Sequence, residues 1–210
     1  EKIIKLKNKF KILININKER KFFFVRSVFE SNLKNILAAI AVISIFKNIS
    51  ELNQNIFYNL KIPKGRGDVS DIKINKKNIK FIDESYNANP LSVSSAIKNF
   101  DLIKKGVGKK NVILGDMLEL GKHSRKLHED LANIINASKI DNVHVYGKNI
   151  KHTFKKIKKN KKGLFLEDKS QIINLIKNNI NNNDYLMIKG SNLTGLNIMA
   201  KKLKKGNINA

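Results

Sequence analysis

The chain has 210 residues, 41% of them hydrophobic, which is room and material for one large domain or one domain with part of another. It contains no cysteine, which excludes a disulfide framework, a thiolate metal site and thiol catalysis. Its formal charge of +25 comes from 38 lysines and only four arginines, beside 30 asparagines and 31 isoleucines. Lys, Asn and Ile share A/T-rich codons, so the charge by itself names no partner.

Taken in chain order, Phe10–Ile16 and Phe22–Val28 are β-rich runs joined by Asn17–Lys21, the pattern of a hairpin. A helix is predicted over Asn32–Lys47, with Ala38, Ala39 and Ala41 close-packed in an apolar surface. One hairpin and one or two helices make a poor core, so residues 1–62 read as the end of a domain that begins elsewhere. Pro63-Lys64-Gly65-Arg66-Gly67-Asp68 gathers turn formers and is the linker candidate.

Beyond it, strands and helices alternate. Ile79–Ile82 is a strand, and Asn89-Pro90 supplies an N-cap and a first-turn proline to a helix bearing Val93, Ala96, Ile97, Phe100 and Ile103. Val112–Leu114 is a strand, followed by a helix that Ser124 can cap. Val143–Tyr146 and Leu164–Leu166 are strands flanking the lysine run 151–162. Asp168 and Gln171 form a capping-box pattern before a helix carrying Ile172, Ile173, Ile176 and Ile180. Tyr185–Ile188 is the last strand and Leu196–Leu203 the closing helix. This alternation predicts an α/β fold with a mostly parallel sheet, helices on both faces, and a ligand crevice at the carboxyl ends of the strands.

Three polar loops fall at such ends. Asp83-Glu84-Ser85-Tyr86-Asn87-Ala88-Asn89-Pro90 places two carboxylates, a hydroxyl and two amides before a helix, chemistry suited to a ribose or another polar substrate; it would equally serve as a capped turn. Gly115–Gly121 has glycines that let a ligand approach backbone closely. Lys189-Gly190-Ser191 offers a cation and a hydroxyl to a carboxylate or phosphate. His123 and His128 are five apart, the wrong spacing for a two-histidine metal site on a helix; His128, near Glu119 or Glu129, reads either as a packing residue or as one that backs a site residue. No segment matches GxxxxGK[ST], so a P-loop is missing from these 210 residues. No apolar run approaches the roughly 18 residues of a membrane helix, and membrane insertion is not expected.

In this order the three loops resemble motifs of the Mur ligases, most of all those of the D-alanyl-D-alanine-adding members. Asp83–Pro90 is similar to a D[DE]SYNANP segment, Val112–Gly121 with His128 to a VLGDMxELG segment with a following histidine, and Ile188–Ser191 to a VKGS strand end. The resemblance implies that residues 63–210 form a Rossmann-like C-terminal domain and residues 1–62 the tail of the central ATPase domain. It implies a cytoplasmic enzyme of peptidoglycan precursor synthesis. Such an enzyme uses ATP and Mg2+ to join D-alanyl-D-alanine to UDP-N-acetylmuramoyl-tripeptide through an acyl phosphate. By the same resemblance, Asn32 and Asn35 would lie near the adenine and Arg66 would reach the nucleotide phosphates. Asp83 or Glu84 would hold the ribose, with Tyr86, Asn87 and Asn89 lining the cleft. Asp116, Lys189 and Ser191 would lie towards the incoming dipeptide. The chain departs from the family pattern at Phe29 and Ser31, where glycine and histidine are usual, at Asn192, where arginine is usual, and near Asn197–Met199, which lack an acid. With the P-loop, the metal-binding acid and the activating lysine missing, these residues are expected not to turn over alone. The residues themselves leave two alternatives: a non-catalytic Rossmann-like binding module, and a basic nucleic-acid-binding protein. Scarce arginine and absent tryptophan weigh against specific nucleic-acid recognition.

Overall fold

The structure, a computed structural model, describes residues 2–26, 28, 30–58, 60, 63–104 and 106–206. The chain divides into two compact units, Glu1–Lys61 and Ile62–Ala210.

The first unit is a three-stranded antiparallel sheet with one long helix. The strands are β1 (Lys2–Lys5), β2 (Phe10–Ile16) and β3 (Glu19–Val25), in that order, and the helix is α1 (Glu30–Phe46). The turn between β2 and β3 is two residues, not the five expected. Asn17 and Lys18 both take positive φ (50° and 66°), the pattern of a type I′ hairpin turn, so the strand starts at Glu19. Ile12, Ile14, Phe23 and Val25 from the sheet close on Ile36 and Ile40 of α1. Ala38, Ala39 and Ala41 are exposed rather than close-packed. Ile36 and Ile40, one turn apart, take the sheet-facing stripe, and the alanines fall outside it. Val42, Ile45 and Phe46 are exposed too. Ser27, Phe29 and the side chain of Ser31 lie outside the described residues.

The second unit is a sheet between two helical layers. Its strands are β4 (Asp68–Ile74), β5 (Lys77–Glu84), β6 (Lys110–Gly115), β7 (Asn142–Tyr146), β8 (Lys162–Leu166) and β9 (Tyr185–Lys189). Its helices are α2 (Pro90–Leu102), α3 (Ser124–Ala137), α4 (Lys151–Lys156), α5 (Lys169–Asn178) and α6 (Leu196–Lys204). The strand order is β4-β5-β9-β6-β7-β8, and every neighbouring pair is parallel except β4 with β5. Alternation along β6 sends Val112 and Leu114 to the face covered by α2 and α3, and Ile113 to the face covered by α5 and α6. In β9, Met187 goes one way and Leu186 and Ile188 the other.

Three local expectations change. Strand β4 was not expected at all, because DVSDIKI follows the linker directly and reads as polar. Ser124 does not cap its helix: it is the first helical residue, and His123 precedes it without a side-chain cap bond. The Asp168 cap is half a box: its carboxylate accepts the Gln171 N–H at 2.9 Å, but Gln171 reaches the Glu167 N–H, one residue further out. At Asn89 the box is complete: Asn89 Oδ1 accepts the Ser92 N–H at 2.8 Å, and Ser92 Oγ accepts the Asn89 N–H at 3.0 Å. Among the described residues no helix is long and apolar enough to cross a membrane.

Candidate functional site

Because β9 lies between β5 and β6, the loops leaving these three strands at their carboxyl ends are neighbours. Side chains of the central loop tie the outer two to it. Lys189 Nζ, at the end of β9, donates to the carbonyl of Asn87 at 3.0 Å and lies 3.4 Å from both the carbonyl and the carboxylate of Glu84. Ser191 Oγ donates to the Ala88 carbonyl at 3.2 Å and accepts the Leu118 N–H at 2.9 Å. The Ser191 N–H donates to the Asp116 carbonyl at 3.0 Å. Asn192 Nδ2 reaches the Tyr86 carbonyl at 3.4 Å, and Thr194 Oγ1 donates back to the Ser191 carbonyl at 2.6 Å. Gly190 and Gly115 approach so closely that a Cβ on Gly190 would lie 3.1 Å from the Gly115 Cα.

The two adjacent carboxylates have different environments. Asp83 is buried and fully engaged: Oδ1 accepts the Ser85 N–H at 3.1 Å and its hydroxyl at 2.5 Å, and Oδ2 accepts Lys204 Nζ at 2.6 Å. Lys204, from the last turn of α6, also pairs with Asp68 at the start of β4. Burial pulls the Lys204 ammonium down, but its bonds to Asp68 and Asp83 outweigh this and hold it above the ordinary lysine range. Glu84 is partly exposed, and Lys189 is its partner. Burial pushes the Glu84 carboxyl up, opposed by the Lys189 charge and hydrogen bond; burial likewise pulls Lys189 down, opposed by Glu84.

The linker candidate is part of this site. Gly65 accepts the Tyr86 N–H at 3.0 Å, the Gly67 N–H donates to the Asp83 carbonyl at 2.8 Å, and the Gly65 N–H donates to Asp68 at 2.7 Å. Both glycines have positive φ, and a Cβ on Gly65 would lie 3.0 Å from the Tyr86 nitrogen. This path lays the Arg66 guanidinium over the Tyr86 ring, 4.4 Å from its centre, at the exposed rim. Asn87 and Asn89 are exposed beside them, with Asn87 Oδ1 accepting the Ala88 N–H at 2.8 Å.

The second loop is held from behind. Asp116 accepts the N–H groups of Lys148, Asn149 and Ile150 at 3.0, 2.9 and 2.7 Å, so its carboxylate anchors the start of α4. Buried His128 of α3 accepts the Met117 N–H at 3.1 Å. The structure therefore brings Arg66, Asp83, Glu84, Tyr86, Asn87, Asn89, Asp116, Lys189 and Ser191 into one cluster of loops. Asn32 and Asn35 lie on α1 of the first unit, Asn32 half-buried and Asn35 exposed. Lys204 and Asp68 had no signal in the sequence: one is a lysine among 38, the other an acid in a glycine-rich turn. Among the described residues no three His, Asp or Glu side chains gather in a way that could hold a metal ion.

The family model for the Mur ligase, glutamate ligase domain, matches residues 69–192, more than half of the chain. A UDP-N-acetylmuramoyl-tripeptide–D-alanyl-D-alanine ligase of Bacillus subtilis is 30% identical over 185 residues, 86% of this chain and 39% of that protein. The ligase of the same name from Buchnera aphidicola subsp. Baizongia pistaciae is 33% identical over 177 residues, 83% of this chain and 36% of that protein. The chain thus spans well under half the length of these relatives. Among solved structures, the MurF ligase of Thermotoga maritima in complex with ADP has a TM-score of 0.74 at 21% identity, covering 99% of this chain and 46% of that one. MurF of Acinetobacter baumannii reaches 0.75 at 23% identity, covering 97% and 44%. The second unit, with its crossed-over β9 and its stapled loops, has the fold of the Mur ligase C-terminal domain, and by that match over residues 69–192 the chain belongs to the Mur ligase family.

Proposed function

We propose that this chain is the C-terminal portion of a cytoplasmic, ATP-dependent ligase that adds D-alanyl-D-alanine to UDP-N-acetylmuramoyl-tripeptide in peptidoglycan precursor synthesis. Residues 1–62 are then the end of its central ATPase domain and residues 63–210 its C-terminal domain. The observation that carries the reading is the stapling of the Asp83–Asn89, Asp116–Glu119 and Lys189–Asn192 loops into one rim by Lys189 and Ser191. The names of the relatives that share these segments support the choice of substrates.

In the reaction, the terminal carboxylate of the tripeptide takes the γ-phosphoryl group of ATP, giving an acyl phosphate and ADP. The dipeptide amine then attacks the acyl carbon. A C–N bond forms, the C–O bond to phosphate breaks, and the amine loses a proton. Mg2+ would accompany the ATP phosphates, supplying charge neutralisation. This chain's share is orientation. Arg66 and Tyr86 form an exposed cationic and aromatic pair suited to the nucleotide's phosphate and sugar. Glu84, not the fully engaged Asp83, is the carboxylate that can accept from ribose hydroxyls, beside Asn87 and Asn89. Asn32 and Asn35 would serve the adenine side. Lys189, Ser191 and Asp116 face the dipeptide from two adjoining loops, and the Asp116 carboxylate fixes its own loop, Gly115–Gly121, through its hold on residues 148–150.

The test is phosphate release by the full-length enzyme with ATP, UDP-N-acetylmuramoyl-tripeptide and D-alanyl-D-alanine. Release should require all three, and glutamate should not replace the dipeptide. The isolated 210 residues should release none. Turnover with glutamate and not with D-alanyl-D-alanine, or ligation by these 210 residues alone, would overturn the reading.

A further inference from the structure

We infer that His128 is a positioning residue for the dipeptide-facing loop, acting through an unprotonated ring nitrogen. The inference rests on the function proposed above and adds a residue to it. His128 is fully buried on α3, and its two ring nitrogens have different partners. Nε2 accepts the Met117 N–H at 3.1 Å and so carries no proton. Nδ1 lies 2.7 Å from the Ser124 carbonyl, to which it donates. The imidazole is therefore neutral and in one tautomer, set by its surroundings.

What it holds is the middle of the loop after β6, at the backbone of Met117, whose side chain is buried in the core. Met117 sits between Asp116, whose carbonyl accepts the Ser191 N–H, and Leu118, whose N–H donates to Ser191 Oγ. Three successive residues are thus pinned, the outer two by Ser191 and the centre by His128. The anchor is itself braced. Thr153 Oγ1, buried on α4, donates to the His128 carbonyl at 2.6 Å, and the start of α4 is held by the Asp116 carboxylate. A circuit closes from Asp116 through α4 and Thr153 to His128, and back to Met117. Loss of the Met117 bond opens this circuit at the one point that lies in the loop. An unpaired buried N–H is costly, so the loop shifts to rehydrate it.

Two substitutions separate the ring's two functions. His128→Gln can place its amide oxygen near the Nε2 position and keep an acceptor for Met117. His128→Asn can keep a donor for Ser124 but is too short to reach Met117. In the 210-residue chain, hydrogen exchange of the Met117 amide should stay slow in wild type and H128Q and accelerate about tenfold or more in H128N. In the full-length ligase, H128N should raise KM for D-alanyl-D-alanine about tenfold with kcat within about twofold, and H128Q should restore KM to within about threefold. Equal loss in both variants, or wild-type exchange and KM in H128N, would overturn the inference. The exchange ordering needs no substrate. If it holds while wild-type ligase ignores D-alanyl-D-alanine, the proposed substrate falls and the positioning of the loop stands.

Discussion

Lys189 Nζ donates to the carbonyl of Asn87, a residue 102 positions earlier, across 3.0 Å. That bond, with the ion pair to Glu84, joins the end of the central strand to the loop beside it. The ammonium is almost wholly buried, and removing it leaves a half-buried carboxylate and a carbonyl without a partner. Lys189→Met is expected to lower stability by about 3 kcal/mol, measured by urea unfolding of the 210-residue chain.

Asp83 and Glu84 are neighbours in sequence with different duties, and substitution should separate them. Asp83→Asn removes half of the clamp on Lys204 and should lower stability by about 2 kcal/mol, with little change in nucleotide KM in the full-length ligase. Glu84→Gln should raise KM for ATP about tenfold, at a smaller cost in stability. Urea midpoints and ATP saturation curves for the two variants test the division.

The Gly65 position admits no side chain without movement of Tyr86. With φ at +76° and the Tyr86 nitrogen 3.0 Å from the place of a Cβ, Gly65→Ala combines left-handed strain with a backbone clash. A loss of about 1–2 kcal/mol is expected in thermal or urea unfolding.

His144 gives the protein a pH dependence remote from the loops. Burial between β7 and β8 lowers its pKa to about 4, and Nδ1 accepts the Leu164 N–H at 2.9 Å. The folded state therefore binds a proton less readily than the unfolded chain, whose histidine titrates near 6.5. The contribution to stability is whole above about pH 6.5 and is lost as the pH falls towards 4, by up to about 3 kcal/mol. His144→Asn keeps an acceptor for Leu164 and removes the titration, so its unfolding free energy should change less than wild type between pH 6.5 and 4.5.

The alternation of strands and helices from Ile79 onward was legible because each buried strand is a short apolar run and each helix has its stripe. The site loops were legible because they end those strands. What escaped detection has physical reasons. The β2–β3 and β4–β5 hairpins turn on Asn-Lys, at residues 17–18 and 75–76, where lysine occupies a positive φ that glycine usually marks. Strand β4 was hidden for this reason, and because as an edge strand it buries only Ile72 and Ile74. In α1 the apolar residues Ala38, Ala39, Ala41, Val42, Ile45 and Phe46 are exposed, so its composition could not say which face packs. The engagement of Asp83 with Lys204 and of Asp116 with residues 148–150 crosses distances in sequence that no local pattern reports.

The strand that occupies the middle of the sheet is the last one translated. Until Tyr185–Lys189 leave the ribosome, β5 and β6 have an unfilled slot between them, and neither of the earlier loops has its staple. A stop before Tyr185 would delete the keystone, leaving two half-sheets with bare edges. Closure of this sheet is thereby tied to synthesis of a strand that follows all five of its companions in the chain.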